Sequence, residues 1–428
     1  MGKASRANQA QDVRQGRLSE VSRRTEILKT AARVFASSGF RVSLQEIANE
    51  CGILAGSLYH HFDSKEKLLQ ELVLLYQTEL EDVAHNSLRR LKRDNEKSHF
   101  ERIVELAEAI VACAKGHRAA LLQTFMDLPV HANENSAKPI NPAHAAIVHA
   151  MLELLQDARA NDYLRKNVDL PKLAEQICRS MLNFSVGTFH LTPGAHQVPR
   201  IKCRMLLEGL FVKTPSNAQL ERSSAFRAAE AMIAQLASIE TDTRVTVLQE
   251  AARKEFGRLG FEGATIRDVA AASGMSTGAI YRMVGSKDEL LRWVMEPFAK
   301  AVTISWDALM SSDSTPVEKL DAILWTGVNL LDRFSDEFVI QLAWLRENPP
   351  PVWSEARAFS ARLNYIKKLL AEAEQRGELR SLGAPVKIQA YCLMELVWVP
   401  PSIVRAAGLR GALAQARETL LRGAIAHS

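Results

Sequence analysis

Apolar residues recur at every fourth position in two separate stretches of the chain, which is the spacing of an amphipathic helix. These positions are Ile27, Ala31, Phe35, Leu248, Ala252 and Phe256. Gly39 and Gly260 follow the two stretches, and glycine ends helices well because it adopts the left-handed conformation at low cost. Phe40 and Phe261 can then fold back on the last turn. Each stretch therefore predicts an amphipathic helix that ends at a glycine.

A short second helix is predicted after each of these glycines. Ser43 stands three residues before Glu46, and Thr265 three before Asp268. This is the spacing of a capping box, in which hydroxyl and carboxylate satisfy the free amides of the first turn. A further glycine closes each second helix, and a third helix follows at once. Two short helices joined by such a turn form a helix-turn-helix (HTH), whose second member fits the major groove of DNA.

The two stretches belong to a long internal repeat of about 220 residues. Residues 47–69 and 269–291 are identical at eight of 23 aligned positions, and matches continue as far as residues 206–209 and 420–423. Ala, Leu, Glu, Arg and Gln dominate, and no β-like runs are joined by Asn-Gly or Asp-Gly. The expected fold class is therefore all-α, with a tandem duplication of whole domains and no sheet to hold a cofactor.

The length of 428 residues predicts two to four domains at about 150 residues each. Residues 225–239 are Ala-rich with helical spacing, so the linker is expected to end in a helix of its own. The expected domains are a basic flexible arm (1–21), HTH domain 1 (22–69, "head 1"), helical ligand and dimerisation domain 1 (70–212), a linker (213–239), HTH domain 2 (240–291, "head 2") and helical ligand and dimerisation domain 2 (292–428).

The heads resemble the DNA-binding region of the tetracycline-repressor (TetR) family, which runs close to IL-x-AA-x-x-x-F-x-x-x-G-F, then IA-x-x-x-G-[VI]-x-x-G-x-LYHHF-x-SKE-x-LL. Residues 24–69 show nearly all of that pattern. Head 2 retains Ala270, Gly274, Gly278, Tyr281, Ser286, Lys287 and the paired leucines. The resemblance is weak over the ligand domains. It implies two tandem TetR-like units, each a three-helix HTH domain followed by a helical ligand-binding and dimerisation domain.

Members of that family are single-copy subunits that work as homodimers through a four-helix interface. The resemblance therefore implies that residues 173–189 and 200–211 pack against residues 386–399 and 412–425. The chain would then be an intrachain pseudo-dimer, and a further homodimer stays open. The partners implied are a double-stranded DNA operator and a small-molecule effector.

Candidate DNA contacts follow from side-chain chemistry together with the resemblance. Hydroxyl and ammonium groups that can bind phosphate, two of them at a helix start, are those of Tyr59, Tyr281, Lys65, Lys287, Ser43 and Thr265. Candidates for base edges are Ala55, Ser57, His60, Thr277, Ala279 and Arg282. Arg282 can bind guanine with two hydrogen bonds. The plain alternative for each serine and alanine is a helix surface position.

Two departures from the family pattern matter. Leu54 stands where the family has a capping Ser or Thr, whereas Ser276 keeps that cap in head 2. The His-His-Phe that follows Tyr59 is replaced by Arg282, Met283 and Val284. Head 2 should therefore read a different base sequence or none.

Charge concentrates at the start of the chain. The net charge is +5, from 54 Lys and Arg against 49 Asp and Glu, and residues 1–24 hold six bases and two acids. This tail is expected to be an arm for the minor groove or for neighbouring phosphates. No secretory signal or long apolar stretch is visible, so a cytoplasmic, nucleoid-associated protein is expected.

No catalytic or metal site is expected. The five cysteines are scattered without a CxxC pair, which indicates neither a disulfide framework nor a zinc site. Residues 274–278 match the G-x-S-x-G nucleophile elbow, but that motif needs a preceding strand, and a helix is predicted here. Leu54 occupies the position equivalent to its serine. The protein is therefore not expected to be an enzyme.

The ligand domains differ between the copies, since all six tryptophans lie in the second. Trp325, Trp344 and Trp353 are candidates to line an aromatic ligand cavity, although core packing is the commoner use of tryptophan. The expected function is a DNA-binding transcriptional regulator, a repressor, whose operator affinity a small apolar or aromatic ligand changes. The alternative is a helical ligand-binding or protein-interaction module whose second HTH no longer binds DNA.

Overall fold

Helices dominate the computed structural model, which describes residues 23–37, 42–93, 96–126, 141–186, 193–237, 243–344 and 355–426. Within these ranges, strand-like pairing is confined to isolated bridges. The predicted all-α class is confirmed. The basic arm at residues 1–21 lies outside the described residues.

One compact unit is formed by residues 1–80 and 112–128, and a second by residues 81–111 and 129–428. Helices α4 and α5 contribute to both. The helices that contribute to the first unit are α1 (23–37), α2 (Leu44–Glu50), α3 (Ala55–His61), α4 (Lys65–Leu91), α5 (His99–Gly116) and α6 (Arg118–Met126).

The second unit holds the remaining helices of copy 1, the linker and copy 2. Copy 1 and the linker supply α7 (Pro142–Ala160), α8 (Leu170–Val186), α9 (Val198–Leu207), α10 (Asn217–Arg222) and α11 (Ser224–Ala237). Head 2 supplies α12 (Thr243–Gly263), α13 (Ile266–Ser273) and α14 (Thr277–Val284). The rest of copy 2 supplies α15 (Lys287–Ser311), α16 (Pro316–Arg333), α17 (Ser335–Trp344), α18 (Glu355–Gln375), α19 (Val386–Leu396), α20 (Pro401–Ala416) and a π-helical turn (Arg417–Leu421).

The apolar stripes of α1 and α12 form the cores of the two heads. The six stripe residues named above are all buried, as the periodicity predicts. In α12 the backbone at Gly260 has φ of 74° and interrupts the helix. The ring of Phe261 then lies 5.5 Å from that of Phe256, so the predicted fold-back is confirmed in copy 2. Gly39 and Phe40 lie outside the described residues.

The linker helix α11 packs on α15 and α16 of copy 2. Phe226 of α11 stacks on Trp325 with ring centroids 5.8 Å apart. Arg417 is buried and forms two hydrogen bonds with the buried Asp321, at 2.7 and 2.8 Å. It also donates to Glu221 of α10 at 2.8 Å. The linker therefore contacts copy 2 through ring stacking and through the ion pair between Glu221 and the buried Arg417.

Backbone hydrogen bonds join the ends of the two copies reciprocally. The amide of Arg165 donates to the carbonyl of Ala424 at 2.9 Å, and the amide of Arg380 donates to the carbonyl of Leu210 at 2.8 Å. Arg165 and Arg380 hold equivalent positions in the repeat, as do Leu210 and Ala424. Such a reciprocal pattern, in which each copy gives and receives the same contact, is typical of an interface with a two-fold axis.

Two glycines meet at the centre of this interface. Gly209 and Gly423 are equivalent in the repeat and have φ of 77° and 83°. A Cβ atom on Gly209 would lie 2.4 Å from the backbone of Arg422 and Gly423. A Cβ atom on Gly423 would lie 2.2 Å from the backbone carbon of Glu208. Only glycine permits this backbone approach.

A buried ion pair breaks the symmetry of the interface. Lys202 of α9 is fully buried, donates to the carbonyl of Ser180 at 2.9 Å, and pairs with Glu395 of α19. The equivalent positions in the repeat hold Ala416 and Met181, which cannot form such a pair. The contact therefore joins copy 1 to copy 2 in one direction only.

Among the described residues, no single helix has the length and apolar character to cross a bilayer. One pair bent by 79°, Val386–Leu396 with Pro401–Leu421, passes that test only when its two parts are joined.

Candidate nucleic-acid interface

The capping boxes that begin α2 and α13 are formed as predicted. The Ser43 hydroxyl accepts from the amide of Glu46 at 3.2 Å and donates to its carboxylate at 2.7 Å. Thr265 and Asp268 form the same pair at 3.2 and 2.7 Å. Hydrogen bonds from the Ser43 amide and hydroxyl lower the pKa of the Glu46 carboxyl. Because both hydroxyls are engaged in caps, a phosphate would have to share them.

The third helix of head 1 presents most of its predicted contacts on its outer side. Leu58 is buried and anchors α3 to the head. Ser57 and His60 are exposed, Ala55 is half-buried, and the Tyr59 side chain is 53% exposed. These four candidates therefore occupy the side of α3 that the core leaves uncovered.

The third helix of head 2 repeats this arrangement with different chemistry. Ile280 is the buried anchor of α14, and Tyr281 is 50% exposed. Arg282 is exposed, whereas Thr277 and Ala279 are half-buried. The two helices therefore carry a tyrosine at the same position. The next residue is a histidine in α3 and an arginine in α14.

The first turns of α4 and α15 place a lysine beside each of these helices. The amide of Lys67 donates to the Ser64 hydroxyl at 3.2 Å, and the amide of Glu289 donates to Ser286 at 3.1 Å. Lys65 and Lys287 follow the capping serines directly and are half-buried. The helix dipole adds positive potential at these turns, so each lysine stands where a phosphate is favoured.

The start of the third helix differs between the heads. The Ser276 hydroxyl accepts from the amide of Ala279 at 3.2 Å. The equivalent Leu54 gives no side-chain cap, and 80% of it is exposed to solvent. The predicted loss of the cap in head 1 is confirmed.

A family model described as bacterial regulatory proteins, tetR family, matches residues 27–72 and 248–294. These are the two heads just described. The chain belongs to the tetR family and carries two TetR-like units.

Curated relatives match parts of this TetR-family chain. It is 54% identical over 52 residues to the HTH-type transcriptional repressor KstR2 of Rhodococcus jostii, covering 12% of this chain and 26% of that protein. It is 28% identical over 148 residues to the HTH-type transcriptional regulator UidR of Escherichia coli, covering 34% of this chain and 71% of the relative. The match to the KstR2 repressor thus spans about a quarter of its length.

A solved structure of the ketosteroid transcriptional regulator KstR2 of Mycobacterium tuberculosis aligns with 44% of this chain and 98% of its own, at 20% identity and a TM-score of 0.39.

Several contacts within the TetR-like heads have no signal in the sequence. The Arg24 guanidinium lies 4.2 Å from the centre of the Phe62 ring and pairs with Glu71 of α4. The Lys287 ammonium lies 4.5 Å from the centre of the Phe261 ring. These contacts hold the start of α4 and α15 against the rest of each head.

In each copy, a helix that follows the head contacts the first helix of that head. These helices are α6 in copy 1 and α17 in copy 2. In copy 1, Arg118 of α6 donates to the carbonyl of Ala36 at 2.9 Å. In copy 2, Arg253 of α12 pairs at 2.7 Å with Glu337 of α17, which is fully buried. Burial raises the pKa of the Glu337 carboxyl, against the opposing charge of Arg253. The arginine of this junction therefore meets a backbone carbonyl in copy 1 and a buried carboxyl group in copy 2.

A cavity of about 140 Å³ opens between α4, α5 and α7 of copy 1. Its lining combines apolar side chains, among them Val83, Leu106 and Leu154, with charged side chains of both signs, among them Arg102 and Glu105. None of the predicted tryptophans lines it.

The three tryptophans proposed for a ligand site are only partly described. Trp325 is buried under Phe226, and the Arg410 guanidinium lies 4.3 Å from its ring centre. Trp344 ends α17, but its side chain lies outside the described residues, as does the whole of Trp353. Their role in ligand binding stays a prediction.

Proposed function

We propose that this chain is a DNA-binding transcriptional regulator, a repressor, and that its two heads bind the two half-sites of one operator. The observation that carries the proposal is the repeated pair of tyrosine and lysine, Tyr59 with Lys65 and Tyr281 with Lys287. Both tyrosines are half exposed, and both lysines stand in the first turn of a capped helix. The name of the matched relative KstR2, a transcriptional repressor, supports repression over activation.

The phosphate and base contacts divide between different side chains. Phenol and ammonium groups bind phosphate oxygens and fix the position of the head, but they carry no sequence information. The bases are read by Ala55, Ser57 and His60 in head 1 and by Thr277, Ala279 and Arg282 in head 2. Because an arginine replaces a histidine, we infer an operator whose two half-sites differ.

We infer further that the two copies pair within one chain as the subunits of a family dimer would. Support comes from the reciprocal backbone hydrogen bonds of Arg165 and Arg380 and from the contact of Gly209 with Gly423. Two recognition helices that bind successive major grooves of one operator must stand about 34 Å apart.

The effector is proposed to be a small, mainly apolar molecule. The apolar residues in the lining of the copy 1 cavity, among them Val83, Leu106 and Leu154, fit such a ligand. A ligand that shifts the spacing of the heads needs a coupling free energy of only about 1–3 kcal/mol to change DNA affinity several-fold to a hundredfold.

The test compares two double variants in a gel-shift titration at several salt concentrations. Tyr59→Phe with Lys65→Ala removes phosphate contacts from head 1, and Tyr281→Phe with Lys287→Ala removes them from head 2. Loss of the lysine charge should reduce the slope of log affinity against log salt by about 0.9, whereas loss of the neutral phenol should lower affinity without changing that slope. Lys166→Ala, at an exposed lysine outside both heads, is the matched control and should leave the slope unchanged.

The outcomes separate the proposal from its alternative. Reduced slopes for both double variants support two working heads. A reduced slope for the head 1 variant alone supports the alternative, in which the second HTH no longer binds DNA. Binding to no DNA in dilute buffer contradicts the proposal.

A further inference from the structure

The side chain of Leu54 neither caps α3 nor joins the core of head 1. Leu54 stands immediately before α3, and its carbonyl accepts from the amides of Ser57 and Leu58 at 3.0 and 3.2 Å. The residue is 80% exposed. Among the exposed large apolar side chains of the described residues, none is more exposed.

The residues that follow Leu54 are small, so they would not block its side chain from a DNA base. Ala55 and Gly56 follow it, and a Cβ atom built on Gly56 would meet nothing within 4 Å. Leu54 is therefore the one large side chain at the amino-terminal tip of α3, among residues 54–57. In an HTH, the amino-terminal residues of the second helix are those that reach the base edges in the major groove.

The chemistry of the major groove indicates which DNA group the side chain of Leu54 would contact. Base edges there present hydrogen-bond donors and acceptors, with one common apolar group, the 5-methyl of thymine. A leucine side chain cannot satisfy a donor or an acceptor, and it cannot bind phosphate. The methyl of thymine is the group against which its exposed surface can be buried.

We infer that Leu54 is a specificity-determining residue of head 1 that reads the 5-methyl group of a thymine in its half-site. Head 2 lacks this contact, because Ser276 at the equivalent position uses its hydroxyl to cap α14. The inference rests on the proposed DNA-binding function. It extends that function by naming a base and the residue that reads it.

The test removes the methyl group and nothing else. Duplexes that bind the full-length wild-type chain are selected from a random-sequence library. Each thymine of a selected duplex is then replaced in turn by deoxyuridine, and the affinities of wild type, Leu54→Ser and Ser276→Leu are measured. One buried methyl is worth about a fourfold change in affinity.

We expect one thymine whose replacement lowers wild-type affinity about fourfold while Leu54→Ser binds both duplexes equally. Ser276→Leu, the matched control in head 2, should keep the wild-type ratio at that thymine. Serine is a favoured N-cap, so Leu54→Ser should melt no lower than wild type. A ratio that persists in Leu54→Ser, or no methyl effect in wild type, overturns this inference while leaving the proposed function intact. Failure to select any DNA overturns both.

Discussion

The contact between Gly209 and Gly423 yields the sharpest prediction about stability. A Cβ atom on Gly209 would lie 2.4 Å from the backbone of Gly423, so Gly209→Ala must push the two copies apart. Gly377 has a similar φ of 66°, but a Cβ atom there meets nothing within 4 Å. Gly377→Ala therefore isolates the conformational strain, about 1–2 kcal/mol for a left-handed residue.

The excess for Gly209→Ala comes from the clash and from the hydrogen bonds beside it. The amide of Leu210 donates to Leu420 at 2.9 Å and that of Phe211 to Leu421 at 3.3 Å. Each such bond contributes about 0.5–1.5 kcal/mol. We therefore expect Gly209→Ala to lower the free energy of unfolding by about 2–5 kcal/mol in total.

The assay is urea denaturation followed by far-UV circular dichroism, with wild type, Gly209→Ala, Gly423→Ala and Gly377→Ala side by side. Gly209→Ala and Gly423→Ala should lower the free energy of unfolding by similar amounts, because the contact is reciprocal. If Gly209→Ala loses no more stability than Gly377→Ala, the close approach of the two copies is refuted.

Three further predictions concern single side chains. Ser276→Ala should lower the free energy of unfolding by about 1 kcal/mol through loss of the α14 cap, and a melting temperature equal to wild type would contradict it. Lys202→Met should lower the free energy of unfolding by about 3–5 kcal/mol, because it leaves Glu395 partly buried without its partner. The double variant with Glu395→Met should recover most of that loss in the same denaturation assay. Burial alone would raise the pKa of the Glu175 carboxyl. The hydrogen bond from His144 and the positive charge of Arg179 outweigh burial and hold that pKa at about 2. Its stabilising contribution is therefore present above the unfolded pKa near 4.5 and is lost as the pH falls toward 2, so Glu175→Gln should flatten the decrease in melting temperature between those pH values.

Local signals made the heads predictable from sequence. The capping boxes of Ser43 and Thr265 follow from two residues at a fixed spacing, and their hydrogen bonds form as expected. The stripe through Leu248 and Phe256 follows from the helical period. Such features depend on residues within one or two turns of each other, so the sequence contains all that they require.

The rest depends on contacts between distant residues, for which a single sequence has no signal. The family resemblance implied that residues 200–211 pack against residues 412–425, but nothing in the sequence singled out the backbone contact between Gly209 and Gly423. Likewise, Lys202 and Glu337 are ordinary helical charges in the sequence, and only the fold buries them against Glu395 and Arg253. The copy 1 cavity was missed for the same reason, since the residues that line it come from separate helices.

The central claim is that one chain presents two reading heads to one operator. Native mass spectrometry of the full-length chain bound to a selected duplex tests it most directly, because the mass of the complex counts the chains. The account predicts one chain per duplex, with the Tyr59→Phe, Lys65→Ala pair and the Tyr281→Phe, Lys287→Ala pair each weakening that complex. A complex of two chains on one duplex, or one that survives loss of either head unchanged, would contradict it.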